Sequence, residues 1–149
     1  MRCQAIISFL IAMSTTSVMY AMDNLPLPCR IEWNNSNSLP PLSDNEQNRG
    51  VAGAFSGFVG NELIIAGGAN FPDKMPWEGG KKSWERTLYH AYTDALDFQW
   101  GIITDFLPAA IAYGVSIQLA EGLLCIGGCD MKRCFDDVFL IYKEGGVFK

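Results

Sequence analysis

A segment in the middle of the chain, residues 69–90, concentrates side chains that could form a polar ligand site. A carboxylate there can exchange protons with a bound group, lysine and arginine can hold an anion, and aromatic rings can stack against a ligand. Long loops with such side chains are common places for binding sites. A decorative surface flap is the alternative for this segment. The side chains concerned are Phe71, Trp77, Glu78, Lys81, Lys82, Trp84, Arg86, Tyr89 and His90.

Two apolar runs, one on either side of this segment, repeat the same pattern. Residues 61–68 read NELIIAGG and residues 121–128 read EGLLCIGG, so each run ends in a Gly-Gly pair, and the pairs lie 60 residues apart. Such a pair lets the backbone turn at positive φ where a strand ends in crowded surroundings. A strand containing glycine precedes each run, at 50–56 and at 112–117.

Each copy continues with a strand headed by aspartate, which we predict at 94–98 in the first copy and at 137–142 in the second. In the first copy Trp100 follows on a short strand, and Leu107-Pro108 comes next. Four short antiparallel strands in a repeat of about 40–60 residues are typical of a propeller blade. The sequence therefore predicts an all-β fold made of about two four-stranded antiparallel blades.

The repeat also predicts the domain organisation. Residues 1–21 have the features of a signal peptide, because Arg2 precedes a short apolar run that is followed by small and polar residues. We expect residues 22–48 to form an outer strand and linker of a preceding partial blade. Residues 49–108 would then be a blade with a long inserted loop at 69–90, and residues 109–149 a second, incomplete blade.

Composition narrows the function classes. The chain has 149 residues, 49% of them hydrophobic and 18% charged, and this balance excludes wholesale disorder. The formal net charge is -5, and no basic stripe is present, so nucleic acid and anionic membrane surfaces are poor partners. The signal peptide predicts a periplasmic or secreted protein whose mature form is not bound to a membrane.

Four cysteines would remain after removal of the signal peptide: Cys29, Cys125, Cys129 and Cys134. A zinc site is disfavoured, because the last three lack paired C-x2-C spacing and the one histidine lies far upstream. Free thiols are the favoured state. A local bridge between Cys129 and Cys134 is the alternative in an oxidising compartment.

The Gly-Gly doublets, the strand headed by aspartate and the spaced tryptophan resemble kelch repeats. The inserted loop is more specific: IIAGGANFPDKMPWEGGKKSW, followed by AYGVS and LLCIGG, resembles the N-acetylneuraminate epimerases, also called sialic acid mutarotases, and among them the cyclically permuted branch. The resemblance implies kelch-type blades of a six-bladed periplasmic β-propeller. It also implies interconversion of the α and β anomers of N-acetylneuraminate without a metal or organic cofactor.

The resemblance further assigns roles to individual residues. Glu78, in the EGGKK core of the loop, is expected to be the acid/base catalyst. Lys81, Lys82 and Arg86 are expected to hold the carboxylate of the sugar. Arg49 matches an arginine that these families direct toward the central channel, and it is a further candidate for substrate binding.

One position departs from the family pattern. The family usually has arginine before Ala-Tyr-Gly, where this chain has Ile111. Replacing a cation by an aliphatic group would remove a substrate contact worth about 1.5–3 kcal/mol. We expect a structural role for His90, whereas Trp77 and Trp84 could either stack on a sugar or wedge the loop in place.

Two other functions stay open from the sequence. The first is a non-catalytic kelch module that binds carbohydrate or protein, which the loss of a cation at Ile111 favours. The second is a secreted structural β-protein in which Glu78, Arg49 and Lys81 do not converge. Two blades alone would expose both flanking faces, so the remaining blades or a second copy of the chain are expected partners alongside the sugar.

Overall fold

The computed structural model describes residues 38–42, 48–92 and 99–149, and their secondary structure is almost entirely β. The predicted signal peptide, most of the predicted outer strand and linker at 22–48, and the predicted strand at 94–98 lie outside the described residues. A 3₁₀ turn spans Pro76–Glu78. The strands are β1 (Phe55–Val59), β2 (Glu62–Ala66), β3 (Ala69–Asn70), β4 (Ser83–Trp84), β5 (Leu88–Tyr92), β6 (Trp100–Ile103), β7 (Val115–Gln118), β8 (Leu123–Ile126), β9 (Val138–Ile141), β10 (Lys143–Glu144) and β11 (Val147–Phe148).

The first blade is a four-stranded antiparallel sheet in the order β1-β2-β5-β6. A two-residue turn joins β1 to β2, and the pairing runs from Val59 opposite Glu62 to Phe55 opposite Ala66. Side chains alternate along β2, so that Glu62, Ile64 and Ala66 are buried on one face. The predicted strand with Trp100 is the outer strand β6, which pairs with β5.

The second blade is built in the same way from β7, β8 and β9, which pair in that order. Tyr142 connects β9 to β10, and β11 folds back on β10 in a short hairpin. Tyr142 and Lys149 continue that hairpin by exchanging two backbone hydrogen bonds of 3.1 and 2.9 Å. The strand pairings thus confirm the all-β fold and the repeat of strands that end in Gly-Gly.

The hydrogen bonds after each Gly-Gly pair correct the predicted alignment of the two copies. The Gly67 amide donates to the carbonyl of Thr87, and the Gly127 amide donates to that of Asp137, both at 2.9 Å. Thr87, and not Asp94, is therefore the counterpart of Asp137. The third strand of the first blade is β5, so the inserted loop ends at Thr87, before the predicted end at His90.

The two blades pack face to face around one apolar core. Phe55 of β1 meets Phe139 of β9 edge to face, with ring centroids 5.4 Å apart. A Cβ added at Gly57 would lie 2.4 Å from a methyl group of Leu123, so glycine permits this close approach. The buried core comprises Phe55, Val59, Ile64, Ala66, Leu88, Leu107, Ile111, Leu123, Cys125, Ile141 and Phe148.

Two polar side chains of β7 add specificity to the contact between the blades. The Ser116 hydroxyl accepts a hydrogen bond from the Ser56 amide at 3.1 Å. The Gln118 side chain accepts from the Phe58 amide at 2.8 Å and donates to the Phe58 carbonyl at 2.9 Å. These bonds satisfy backbone groups on the free edge of β1, which no strand covers in the part of the chain that the structure describes, and they fix the register of one blade against the other.

A buried charge ties the C-terminal hairpin to the first blade. Glu62 is only 3% exposed, and its carboxylate lies 2.8 Å from Nδ1 of His90 and forms an ion pair with Lys143. Burial by itself would raise the pKa of Glu62, but hydrogen bonds from Lys143, Tyr92 and His90 hold the pKa below its ordinary value. The His90 ring also packs on Phe148, with centroids 5.0 Å apart, which gives it the expected structural role.

Cys125, Cys129 and Cys134 are free thiols. Cys129 and Cys134 face each other as an antiparallel backbone bridge without a disulfide. Burial raises the pKa of Cys125 to about 12, so this thiol behaves as a small apolar core residue. In the part of the chain that the structure describes, no helix is long and apolar enough to cross a membrane.

Candidate functional site

A polar cavity of about 670 Å³ lies beside the first Gly-Gly pair. Its volume falls in the range of about 300–1,000 Å³ that is usual for small-molecule sites. The lining combines two guanidinium groups, two carboxylates, amides and hydroxyls with a few apolar surfaces. The lining residues are Leu42, Asn48, Arg49, Asn70, Pro72, Ser83, Trp84, Glu85, Arg86, Thr87, Thr104, Asp105 and Ala110.

The short β3–β4 ladder places the residues at the centre of this cavity. Ala69 pairs with Trp84, and Asn70 pairs with Ser83, so the loop between them returns to its starting point. The Glu85 amide then donates to the carbonyl of Gly68 at 2.8 Å. A Cβ on Gly68 would lie 2.7 Å from the Val51 Cβ, and φ there is +103°, so only glycine fits this approach comfortably.

Glu85 is the half-buried carboxylate of the cavity. Its Oε1 accepts a hydrogen bond of 2.8 Å from the Asn70 amide group, and its Oε2 lies 3.4 Å from the donating hydroxyl of Tyr89. Desolvation is the dominant effect and raises the pKa of Glu85 above its ordinary value, although the bonds from Tyr89 and Asn70 act in the opposite direction. Glu85 is thus a carboxyl group with a raised pKa in a ligand-sized cavity.

The Tyr89 hydroxyl connects Glu85 to the start of the first blade. The Asn48 side-chain amide donates to this hydroxyl at 3.1 Å and to the Pro40 carbonyl at 2.8 Å. Burial and the neighbouring Glu85 charge raise the pKa of Tyr89 to about 12, so the phenol stays protonated and able to donate. The Asn48–Tyr89–Glu85 chain therefore holds the carboxyl group in a fixed orientation.

Two of the predicted cationic residues, Arg49 and Arg86, line the cavity. Arg86 is held in place, because its Nε donates to the Leu107 carbonyl at 2.7 Å and its Nη1 lies 3.3 Å from Asp105. Arg49 is exposed and donates from Nη2 to the Asp73 carbonyl at 3.4 Å. Among the described residues that bond uses one of the five guanidinium donors, which leaves the Arg49 fork able to bind an anion.

The predicted acid/base residue lies elsewhere. Glu78 is on the exposed 3₁₀ turn, where its Oε2 accepts a hydrogen bond from the Met75 amide at 3.1 Å, and it does not line the cavity. Lys81 is also exposed and outside the lining. Trp77 is 81% exposed on the same turn. The roles that the resemblance gives to Glu78 and Lys81 stay predictions.

Lys82 is engaged by aromatic rings close to the cavity. Its Nζ donates to the Tyr113 hydroxyl at 2.6 Å and lies 4.5 Å from the centre of that ring. The rings of Trp84 and Phe71 are 5.6 and 5.9 Å away. Such contacts stabilise a cation by about 0.5–1 kcal/mol each at exposed sites. Because Tyr113 belongs to the second blade, Lys82 connects the inserted loop to that blade.

Trp84 lines the cavity, and its indole nitrogen is buried without an acceptor among the described residues. A buried donor of this kind is unusual in folded proteins.

Ile111 has a purely structural place. It is 4% exposed in the core, its carbonyl accepts from the Gly68 amide at 2.8 Å, and its amide donates to the Glu85 carbonyl at 3.2 Å. The aliphatic side chain of Ile111 therefore supplies no cation to the cavity, unlike the arginine of the family pattern. Within the described ranges, no group of three or more His, Cys, Asp or Glu residues could hold a metal ion.

Sequence reasoning missed Glu85. The hydrogen bonds after the two Gly-Gly pairs show that Glu85 and Phe135 are equivalent positions. The Glu85 amide donates to the Gly68 carbonyl, and the Phe135 amide donates to the Gly128 carbonyl, each at 2.8 Å. The first blade thus carries a carboxylate where the second blade carries a phenyl ring. A correct alignment of the two copies would have revealed this difference.

The two packed sheets and their Gly-Gly strand ends define this chain as a pair of kelch-type β-propeller blades with a polar cavity built largely by the inserted loop. The solved structure of YjhT matches 76% of the chain with a TM-score of 0.58 and 30% sequence identity, over 33% of its own length. The chain belongs to the N-acetylneuraminate epimerase family, whose model matches residues 20–148.

Two relatives named N-acetylneuraminate epimerase show how much of the family the chain represents. The protein of Brucella suis is 35% identical in an alignment of 123 residues that covers 76% of this chain and 30% of that protein. The protein of Vibrio vulnificus is 36% identical in an alignment of 101 residues that covers 64% of this chain and 26% of that protein. The chain spans less than a third of the length of either relative.

Proposed function

We propose that this chain takes part in the anomerisation of N-acetylneuraminate or a closely related sugar acid, and that the cavity at Arg49 and Arg86 receives the sugar. The observation that carries this proposal is one ligand-sized cavity in which two guanidinium groups share a lining with Glu85, Asn70 and several hydroxyls. Family membership supports the choice of sugar, because the relatives are named for that reaction.

The chemistry of the reaction matches the contents of the cavity. A sugar acid brings a carboxylate, which a guanidinium group binds through two parallel hydrogen bonds. Ring opening needs a group that protonates the ring oxygen and a group or water molecule that takes the anomeric proton. Arg49 is exposed and, among the described residues, has one hydrogen-bond acceptor, whereas Arg86 is fixed by Leu107 and Asp105 and presents a positioned charge.

The first experiment is one-dimensional NMR of freshly dissolved N-acetylneuraminate with and without the purified chain. Acceleration of anomer exchange, together with saturation-transfer signals from the bound sugar, would support the proposal. Arg49→Ala should weaken sugar binding about tenfold or more, because a charged hydrogen bond contributes about 1.5–3 kcal/mol. Arg133→Ala is the matched control, since Arg133 is an exposed arginine that lines a different cavity. Equal losses in both variants would contradict the assignment of the site.

A non-catalytic sugar-binding module is the second candidate. The buried Ile111 favours it, since the epimerase resemblance places arginine there and this chain has an aliphatic core residue. The same NMR experiment separates the two candidates: a binding module gives saturation transfer without faster anomer exchange. In either case we propose a periplasmic or secreted location, for which the basic and apolar N-terminal sequence is the support.

A further inference from the structure

The cavity holds a carboxyl group to which neither the family resemblance nor the relatives' names assign a role. Glu85 is fixed by its backbone on two sides, through the Gly68 carbonyl of the first blade and the Ile111 amide that begins the second. Its side chain is fixed as well, by Asn70 on one oxygen and Tyr89 on the other. A carboxyl group held by two side chains, on a backbone held at two points, has a defined orientation, which proton transfer requires.

A comparison with the other carboxylates near the cavity singles out Glu85. Asp105 is 78% exposed and is neutralised by Arg86, so it is a solvated anion. Glu78 is exposed, and its carboxylate caps the 3₁₀ turn at Met75. Glu85 combines partial burial, a place in the lining, and partners that are uncharged amide and hydroxyl groups.

We propose that Glu85 is the general acid of this cavity, the group that protonates the ring oxygen of the sugar when the ring opens. This inference rests on the proposed function. In the opening step the Glu85 proton passes to the ring oxygen, the bond between that oxygen and the anomeric carbon breaks, and the anomeric hydroxyl becomes a ketone as its proton leaves to water. Closure on the other face reverses these transfers and returns the proton to Glu85, so nothing is consumed.

The partners of Glu85 are suited to a group that gains and loses a proton. Asn70 donates to Oε1 and Tyr89 donates to Oε2, so both stabilise the anion that forms when the proton leaves. Desolvation acts in the opposite direction and dominates, which keeps the pKa raised. The approach of an anionic sugar would favour the protonated form further, because like charges repel.

The decisive experiment compares Glu85→Gln, Glu78→Gln and the exposed control Glu121→Gln in the anomer-exchange and saturation-transfer assays. We expect Glu85→Gln to slow exchange about 10²-fold or more, the usual contribution of a general acid, while sugar binding changes little. Glu85→Asp should recover part of the rate. In the wild-type chain the rate should fall as pH rises through the pKa of Glu85, and this limb should vanish in Glu85→Gln.

The outcomes separate this inference from the proposed function. Glu85 is not the acid if Glu85→Gln exchanges anomers at the wild-type rate, or if Glu78→Gln slows anomer exchange and Glu85→Gln does not. In both cases saturation transfer from the bound sugar would leave the proposed binding site in place. If the wild-type chain binds the sugar without accelerating exchange, Glu85 is not an acid and the binding module stands. If the wild-type chain binds no sugar, the proposed function fails and this inference fails with it.

A measurement on the wild-type chain protects the test against a variant that does not fold. Titration of the side-chain carboxyl carbons by ¹³C NMR should show Glu85 protonating at higher pH than the exposed glutamates. An ordinary titration of Glu85 would overturn the proposal without any substitution.

Discussion

The ion-paired Glu62 allows a quantitative test of what holds the C-terminal hairpin to the first blade. Glu62 is buried, whereas His90 and Lys143 each keep about a quarter of their side-chain surface exposed, at 24% and 25%. Glu62→Gln keeps the size and shape of the side chain and removes its charge. The change leaves one ammonium group and one imidazole without their shared anion, and it places an amide NH₂ against hydrogen-bond donors.

The expected cost follows from the burial of the three groups. Removing one member of a fully buried ion pair costs about 3–5 kcal/mol, because the other charge loses its partner in a medium of low polarity. His90 and Lys143 still reach water, which compensates part of that loss. We therefore expect Glu62→Gln to lower the free energy of unfolding by about 2–3 kcal/mol at pH 7.

The pH dependence follows from the direction of the pKa shift. The folded state holds the pKa of Glu62 below its ordinary value, so the unfolded state binds the proton more readily. The stabilisation is therefore complete above the unfolded pKa of about 4.3 and is lost as pH falls through the folded pKa. The wild-type chain and Glu62→Gln should thus approach each other in stability as pH falls below the ordinary value and converge only below the folded pKa of Glu62.

Urea unfolding followed by tryptophan fluorescence, at pH 7 and at a series of lower pH values, measures both effects. Glu144→Gln is the control, because Glu144 is an exposed carboxylate in the same hairpin. A cost below about 0.5 kcal/mol at pH 7, or a cost that does not shrink as pH is lowered through the acid range, would refute the assignment of stability to the Glu62 charge.

Two further predictions concern packing between and within the blades. Leu123 is 1% exposed in the core between the blades, so Leu123→Ala should lower the free energy of unfolding in urea by about 2–4 kcal/mol. Leu119 is 38% exposed, so the control Leu119→Ala should lower it much less. Similar costs for the two variants would contradict the packing described above. Gly68→Ala should lower the melting temperature more than Gly60→Ala does. Both glycines have positive φ, but only at Gly68 would the new Cβ meet another side chain, that of Val51, whereas Gly60 faces open space.

The sequence predicted the fold well because its strongest signals are local. The Gly-Gly pairs end β2 and β8 as predicted, and the apolar runs before them are the central strands of both sheets. Trp100 begins the outer strand of the first blade, also as predicted. These features depend on turn chemistry and on short-range alternation, which a single sequence displays directly.

The third strand of the first blade was misplaced because its pattern depends on distant partners. Residues 88–92 read LYHAY, and the polar His90 suggests a loop when the sequence is considered alone. In the structure His90 meets Glu62, which lies 28 residues earlier, so a buried charge makes the histidine compatible with a strand. Local pattern cannot show such a pairing.

The structure brings together only some of the predicted site residues, for a similar reason. Arg49 and Arg86 line the cavity, whereas Glu78 and Lys81 are exposed outside it, and the roles of all four stay predictions. Glu85 was missed because its surroundings come from Asn70, 15 residues away, and from the Gly68 and Ile111 backbone. The character of a carboxyl group depends on its desolvation, and desolvation is a property of the assembled loop and blades.

The bond between Glu62 and Lys143 also has a consequence for the order of events during synthesis. The two residues are 81 positions apart in the chain. A ribosome that adds about 5–20 residues per second needs roughly 4–16 s to make that stretch. His90 and Tyr92 are made early in this interval, so for the rest of it the first blade carries its carboxylate with these two partners but without the ammonium group. Until Lys143 has been made, the first blade can bury this carboxylate only with an incomplete set of hydrogen-bond donors.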